Sequence, residues 1–148
     1  MREAGFKVLD HPADMGISLT APTLVELYRQ AFLALVNVLL DNESIEEKFE
    51  DEIVIDSIDR DHLMFDWLSE ILFQFDCEGR VYRDVVLQID LEENDGEEQS
   101  LRLKARARGE EFDSSMHQIK TYVKAITLHQ LCVKGDGDDF EATIYLDI

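Results

Sequence analysis

Acidic groups stand near both ends of this 148-residue sequence. Asp14 lies three residues after His11, and Asp147 is followed by Ile148 with its α-carboxylate. Carboxylates that a fold crowds together repel one another, and the usual remedies are a proton, a cationic side chain or a metal ion. Ligation by oxygen alone favours calcium or magnesium over zinc or copper. If the fold joins the chain ends, these groups form a candidate site that needs one of those remedies.

The four histidines are the other candidates for acid–base or ligand chemistry. His11, His117 and His129 could gather near the chain ends as a base or as ligands. A lone histidine in a strand or turn is more often a hydrogen-bonded structural residue, and we favour that interpretation. His62 falls in the first turn of a predicted helix and is expected at the surface. The acid cluster at residues 109–113 precedes His117, and such clusters are usually solvated loops, although this one could frame a cleft.

Lys124 is a further candidate because of its place in a predicted strand. Strand alternation puts it on the same face as Tyr122 and Ile126, a face expected to be mostly apolar. A lysine on such a face needs a carboxylate partner or a cleft. A structural ion pair with Asp14 or Asp147 and presentation to a ligand fit the sequence equally well.

The composition excludes several classes of function. The chain has 33 acidic and 14 basic residues, a net charge of −19, so its surface repels phosphate backbones and is not expected to bind nucleic acid strongly by itself. Solubility or life at high salt explains this acidity more simply than a specific acidic docking surface. The N-terminus lacks the apolar core of a signal peptide, and no apolar run could span a bilayer, so we expect a cytoplasmic protein without membrane contact. Cys77 and Cys132 form no metal-type pair and are expected to be reduced and structural.

Two helices are predicted from apolar spacing and capping residues. Thr23 and Glu26 form a capping box, and apolar residues follow at helical spacing until near Asp41. The second helix begins near Asp59, a suitable N-cap, and closes at Gly79. Its aromatic-rich stripe is read as core packing rather than as a cofactor site.

The remaining elements show the two-residue period of strands. We expect strands near residues 5–10, 15–20, 53–55, 85–91, 101–107, 122–134 and 140–148, with a hairpin turn at Asp95-Gly96. The sequence therefore predicts one α+β domain over residues 1–148, in which a mostly antiparallel or mixed sheet packs with two long helices.

One strand carries a row of basic side chains on its outward face, at positions 102, 104, 106 and 108. The row could be a docking stripe for phosphate, or the neighbouring strand could neutralise it. Pairing Leu91 with Leu101 sets Asp90 opposite Arg102, Gln88 opposite Lys104 and Asp84 opposite Arg108. We favour neutralisation, which requires a hairpin loop of odd length, since an even one would put arginines on the apolar face.

The order of these segments resembles one family, archease. The motifs that carry the resemblance run through nearly the whole chain: His11-Pro12-Ala13-Asp14, Thr23-Leu24-Val25-Glu26-Leu27, Trp67-Leu68-Ser69-Glu70, Gly109-Glu110-Glu111 before His117, Val123-Lys124-Ala125-Ile126-Thr127, and Leu146-Asp147-Ile148. The family more often has threonine at the position of Pro12. Proline restricts His11 to an extended backbone and removes an N–H, so the sequence of this loop departs from the family pattern at a position that bears on its geometry.

The resemblance implies an accessory protein, not an enzyme, that acts on the tRNA-splicing RNA ligase, which joins RNA ends with GTP and manganese. It implies that the protein helps the ligase become guanylylated and turn over repeatedly. It also implies a divalent-cation site, usually for calcium, at Asp14, Asp147 and the carboxylate of Ile148. His11, His117 and Lys124 are our candidates for contact with the ligase or its nucleotide.

Two other classes of function stay open. A small metal-dependent hydrolase could use His11 or His117 with Asp14, but it would need a nucleophile or activated water that the sequence does not indicate. A general chaperone or a modulator of an RNA-modifying enzyme is suggested by family analogy alone.

Overall fold

The computed structural model describes residues 3–10, 14–93 and 99–148. His11 and the predicted turn at Asp95-Gly96 lie outside the described residues. The elements in chain order are β1 (Gly5–Asp10), β2 (Asp14–Ala21), α1 (Leu24–Leu39), a short 3-10 turn (Asn42–Ser44), β3 (Phe49–Ser57), α2 (Arg60–Asp76), β4 (Arg80–Glu93), β5 (Gln99–Glu111), β6 (Ala125–Asp136) and β7 (Asp139–Asp147).

The strands form two sheets with the helices between them. One sheet has the order β1-β2-β7-β6 and the other β3-β5-β4, and every pairing in the described part is antiparallel. Helix α1 contacts β2 and β4, while α2 contacts β6 and β3, so each helix packs on both sheets. The α+β class with two long helices is confirmed. The division into two sheets departs from the single sheet expected, because alternation along a strand shows which face is apolar but not which element covers it.

Helix α1 begins at the predicted N-cap, Thr23, but the structure shows only one of the two hydrogen bonds of the predicted capping box. The Thr23 hydroxyl accepts a hydrogen bond from the backbone N–H of Glu26, at 3.1 Å. The Glu26 carboxylate accepts hydrogen bonds from Arg29 and Gln30, further along the helix. Its buried stripe faces the layer of side chains between the sheets.

Helix α2 begins after its N-cap, Asp59, whose carboxylate accepts from the backbone N–H of His62 at 2.8 Å. The aromatic stripe is core, as predicted: Trp67 is fully buried and its indole N–H donates to the carbonyl of Tyr28 at 3.0 Å. The Tyr28 hydroxyl donates in turn to the carbonyl of Arg60 at 2.6 Å. Each buried polar group of this helix pair thus has a partner. Within the described residues, neither helix has the length and apolar character needed to cross a membrane.

The basic strand, β5, lies between β3 and β4, and acids of β3 neutralise two of its arginines. Asp90 pairs with Arg102, and the predicted register holds at the other positions of β4. Glu93 pairs with Gln99, which leaves an odd number of residues between the strands, as that register requires. On the other side, the Arg102 guanidinium binds both carboxylate oxygens of Asp56, at 2.7 and 3.1 Å. Neutralisation of the basic row is confirmed for Arg102 and Arg108, but these ion pairs are with Asp56 and Glu50 of β3, whereas Asp84 of β4 binds Arg29 instead.

Candidate functional site

The two ends of the chain meet across one strand pair. Asp14 begins β2 and pairs directly with Asp147, the last residue of β7. The adjoining pair, Met15 and Leu146, faces the core, and Leu146 is fully buried. Because side chains alternate along a strand, Asp14 and Asp147 lie on the opposite, outer face of the sheet. Directly opposed residues of an antiparallel pair have Cβ atoms about 5 Å apart, which brings the two carboxylates within reach of one ion.

The next pair on this outer face borders the carboxylates with an aromatic ring. Gly16 pairs with Tyr145, and a Cβ atom at position 16 would lie 3.0 Å from the Tyr145 ring. The glycine therefore lets the ring lie flat against β2. Asp14 is partly buried in this setting, whereas Asp147 is exposed.

Side chains alone do not complete a metal centre in the described part of the chain. Among residues 3–10, 14–93 and 99–148 there is no group of three His, Cys, Asp or Glu side chains that could hold an ion. Ca²⁺ takes six to eight oxygen ligands, so Asp14 and Asp147 can supply only part of a coordination shell. The remaining oxygens would come from the Ile148 carboxylate, backbone carbonyls, water or a partner.

Ile148 differs from its expected position. The alternation of β7 predicts that it shares the core face with Phe140 and Leu146, both of which are buried. The strand ends at Asp147, and Ile148 is 37% exposed. A residue beyond the last ladder pair no longer follows the pleat, so alternation does not hold Ile148 on the core face.

Lys124 also differs from its expected position. Strand β6 begins at Ala125 rather than at Tyr122, so alternation does not extend back to the lysine. Val123 is buried and Lys124 is exposed, which corrects the prediction that Lys124 lies on an apolar face. Its backbone N–H donates to the carbonyl of Asp147 at 2.7 Å. The backbone of Lys124 therefore adjoins the candidate site, and its ammonium group extends into solvent.

His117 was predicted as a candidate base or ligand near the joined chain ends, but its side chain bonds instead to Glu110 and Asp113. It is buried, and its Nδ1 accepts a hydrogen bond from the backbone N–H of Asp113 at 2.9 Å. Its Nε2 forms a very short hydrogen bond with Oε1 of Glu110. Since the backbone N–H can only donate, the proton lies on Nε2 and is donated to the carboxylate. The structural interpretation of His117 fits these contacts. His62 and His129 are exposed, as His62 was predicted to be.

Glu110 departs from the solvated loop favoured for residues 109–113, whereas the alternative, that this cluster frames a cleft, fits the structure. Only 2% of it is exposed, although the acid cluster predicts a solvated loop. Its Oε2 is buried without a well-aligned hydrogen bond, and the ammonium of Lys48 lies 3.4 Å away. Burial disfavours ionisation, but hydrogen bonds from His117, the backbone of Glu46 and Lys48 outweigh it and lower the pKa of Glu110.

The local backbone explains how this acid is buried. Gly109 approaches β4 so closely that a Cβ atom would lie 1.8 Å from the carbonyl oxygen of Val81. The backbone N–H of Lys48 donates to the carbonyl of Gly109 at 2.8 Å. The chain before β3 and the turn containing His117 thus cover the outward face at Glu110. A cleft of about 600 Å³ beside them is lined by Lys48, Phe49, Arg80, Glu110, Glu111, Phe112, Asp113, Ser114 and Met116. No sequence signal except the spacing of Glu110 and His117 points to this pair.

Comparison with known proteins assigns the chain to a family. Residues 6–148 match the model of the Archease protein family. The chain belongs to the archease family. Protein archease of Sulfurisphaera tokodaii is 31% identical over 97% of this chain and 98% of its own length. Protein archease of Pyrococcus furiosus is 35% identical over 84% of each chain.

Solved structures agree with this archease fold. The solution structure of protein 1598 from Methanobacterium thermoautotrophicum is 30% identical and superposes with a TM-score of 0.79, over 97% of this chain and 99% of that one. The crystal structure of an archease from Thermotoga maritima, described as a possible chaperone, has a TM-score of 0.57 at 19% identity, over 100% of this chain and 98% of that one. The second likeness bears on the fold alone.

Proposed function

We propose that this archease activates a GTP-dependent tRNA-splicing RNA ligase, promoting its guanylylation and its multiple turnover. In this proposal the protein is an accessory factor rather than the catalyst, and a divalent cation joins Asp14, Asp147 and the carboxylate of Ile148. The observation that carries it is the direct pairing of Asp14 with Asp147 across β2 and β7. Membership of the archease family supports the ligase as the partner.

The chemistry of the donor set supports calcium or another hard divalent cation. All the groups at the joined ends are oxygen donors, which suit Ca²⁺ and Mg²⁺. Two carboxylates on directly opposed residues repel each other unless a cation lies between them. When bound, the ion supplies positive charge that holds both chain ends together in one acidic patch.

The proposed patch acts on the ligase rather than on RNA. A net charge of −19 opposes contact with an RNA backbone, whereas a protein partner can present cations or a metal to the patch. We propose that the patch inserts near the metal and nucleotide site of the ligase, where it delivers or repositions a metal and favours transfer of GMP. The exposed ammonium of Lys124, next to Asp147 along the backbone pairing, is placed to meet the ligase or its nucleotide.

A hydrolase that uses His117 with Asp14 is disfavoured by the contacts of His117. Both of its ring nitrogens are engaged, one by Glu110 and the other by the backbone of Asp113. A general chaperone remains an alternative that rests on family analogy alone.

The decisive experiment measures GMP loading and turnover of a purified tRNA ligase with and without this protein. Asp147→Asn should abolish the activation, and Glu141→Gln should preserve it. Both acids lie on the same face of β7, and Glu141 is six residues away from the joined ends. Unchanged activation by Asp147→Asn would refute the proposed role of the patch. Broad suppression of aggregation among unrelated proteins, without an effect on the ligase, would favour the chaperone.

The cation is tested separately by titrating calcium into the purified protein and measuring heat. We expect one binding event that Asp14→Asn and Asp147→Asn each weaken strongly and that Glu141→Gln leaves unchanged. Extending the chain beyond Ile148 should also weaken it, because the extension removes the α-carboxylate. Equal calcium binding by the parent protein, Asp14→Asn and Asp147→Asn would remove the ion from the proposal.

A further inference from the structure

The segment between β5 and β6, residues 112–124, exposes an unusual set of side chains. It has no strand or helix, yet it carries three large apolar residues at spacings of three. Met116 is 53% exposed, Ile119 41% and Tyr122 62%. We refer to residues 112–124 as the connecting segment. Exposed aromatic and methionine side chains are enriched where proteins bind other proteins.

The connecting segment is nevertheless held firmly against the rest of the fold. The buried side chains of His117 and Val123 anchor it, and His117 bonds to Glu110. The backbone N–H of Lys120 donates to the carbonyl of Leu39 at 2.7 Å. A side chain on a backbone fixed in this way loses less conformational entropy when it is covered, so the segment is preorganised for binding.

The far end of the connecting segment reaches the candidate cation site. The backbone N–H of Lys124 donates to the carbonyl of Asp147 at 2.7 Å, and Ala125 pairs with Asp147 in the sheet. A partner that covers the segment would therefore also lie beside the joined chain ends.

The charge of this region is opposite in character to the rest of the molecule. Residues 114–135 form the longest stretch of the sequence without Asp or Glu, in a chain with 33 acidic residues. The stretch contains Lys120 and Lys124, both exposed. In the basic strand β5, by contrast, Arg102 and Arg108 are paired with acids of β3. An acidic partner surface would be repelled by most of this protein and accepted here.

From these observations we infer that the connecting segment is a docking surface for the ligase. The inference rests on the proposed function and adds to it the chemistry of the contact. Met116, Ile119 and Tyr122 fill apolar pockets of the ligase, and carboxylates at the rim of those pockets face Lys120 and Lys124. The segment supplies affinity, and the cation site beside it acts on the ligase's nucleotide chemistry.

The test measures the affinity of the purified ligase for single variants of this protein. Tyr122→Ser should weaken binding by about tenfold or more, the usual effect of removing a central aromatic contact. Ile58→Ser is the matched control, since Ile58 is 70% exposed and lies outside the connecting segment. Lys120→Glu should also weaken binding and reduce its dependence on salt, because within the described residues Lys120 bonds to the fold through its backbone and its side chain is exposed.

Calcium binding and thermal unfolding of these variants should match those of the parent protein, which separates docking from folding. If Tyr122→Ser and Lys120→Glu bind and activate the ligase normally while Asp147→Asn does not activate it, the docking inference is wrong and the proposed function stands. If Ile58→Ser loses as much affinity as Tyr122→Ser, the contact is not specific to the segment. Loss of self-association by Tyr122→Ser in sedimentation, with ligase binding intact, would assign the surface to a second copy of this chain.

Discussion

Replacing His117 with alanine should destabilise this protein more than any change at an exposed histidine. His117 and Glu110 form a hydrogen-bonded pair in which the side chains are 0% and 3% exposed. His62 and Asp59 form the same kind of pair at 2.8 Å, with the side chains 46% and 52% exposed. The two pairs share their chemistry and differ in burial, so His62→Ala is a natural control.

The expected cost follows from what the imidazole leaves behind. A hydrogen bond to a charged group contributes about 1.5–3 kcal/mol, and Glu110 loses one when Nε2 is removed. The backbone N–H of Asp113 also loses its acceptor, at a cost of about 1 kcal/mol. The backbone of Glu46 and the ammonium of Lys48, at 3.4 Å, then remain to stabilise the buried carboxylate. Together these losses amount to about 2.5–4 kcal/mol, a large share of a total stability of about 5–15 kcal/mol.

The assay is equilibrium unfolding in urea, followed by fluorescence of Trp67, at neutral pH. His117→Ala should lower the midpoint with an unchanged slope, whereas His62→Ala should leave the midpoint nearly unchanged. The double variant with Glu110→Ala should be less destabilised than the sum of the single changes, because the unpaired carboxylate is then gone. Equal midpoints for His117→Ala and His62→Ala would show that burial does not set the value of this pair.

Three further predictions follow from single contacts. Gly109→Ala should lower the free energy of unfolding in urea by at least about 3 kcal/mol, because the added Cβ would clash with a backbone carbonyl. Gly5→Ala should be nearly neutral, because a Cβ at position 5 has nothing within 4 Å. Similar losses of stability in the two variants would contradict the close approach of Gly109 to β4. The hydrogen bond to Asp59 raises the pKa of His62, so the pair stabilises the fold fully below pH 6.5 and this stabilisation is lost as pH rises through the raised pKa. Asp59→Asn should move the NMR titration midpoint of His62 down toward 6.5. An unmoved midpoint would show that Asp59 does not raise this pKa. The interactions that lower the pKa of Glu110 stabilise the fold above pH 4.5, the ordinary pKa of a glutamate, and this stabilisation is lost as pH falls through the pKa in the folded state. Glu110→Gln should therefore flatten the acid limb of a plot of stability against pH. An acid limb identical to that of the parent protein would contradict this prediction.

The parts of the fold that depend on neighbours in sequence could be predicted well. The register of β4 and β5 follows from apolar alternation and from opposite charges that face each other, and Asp90 does pair with Arg102. The caps at Thr23 and Asp59 also follow from local hydrogen bonding. These features need only a few adjacent residues to be correct, and a hairpin of odd loop length carries the register from one strand to the next.

The candidate site could be predicted only in part. The pairing of its two acids was anticipated, but the position of Lys124 depends on where a strand begins. The expectation that the chain ends meet is confirmed by the pairing of Asp14 with Asp147. The predicted position of Lys124 on an apolar face was wrong, because strand β6 begins later than the apolar pattern indicates. Which ion binds there, and which partner it meets, stay predictions.

Glu110 shows why alternation along a strand cannot predict burial where another part of the chain covers the outward face. By alternation it belongs with Arg106 and Arg108 on the outward face of β5, where both neighbours are exposed. A face is buried by whatever lies over it, and here Lys48 and the turn that ends at His117 lie over it. These contacts join residues far apart in the sequence or depend on a turn that the sequence does not signal strongly. Hydrophobic periodicity and secondary-structure propensity therefore cannot predict them. The same turn begins the connecting segment, so the buried acid that the pattern misassigns is also what fixes the exposed side chains of that segment in place.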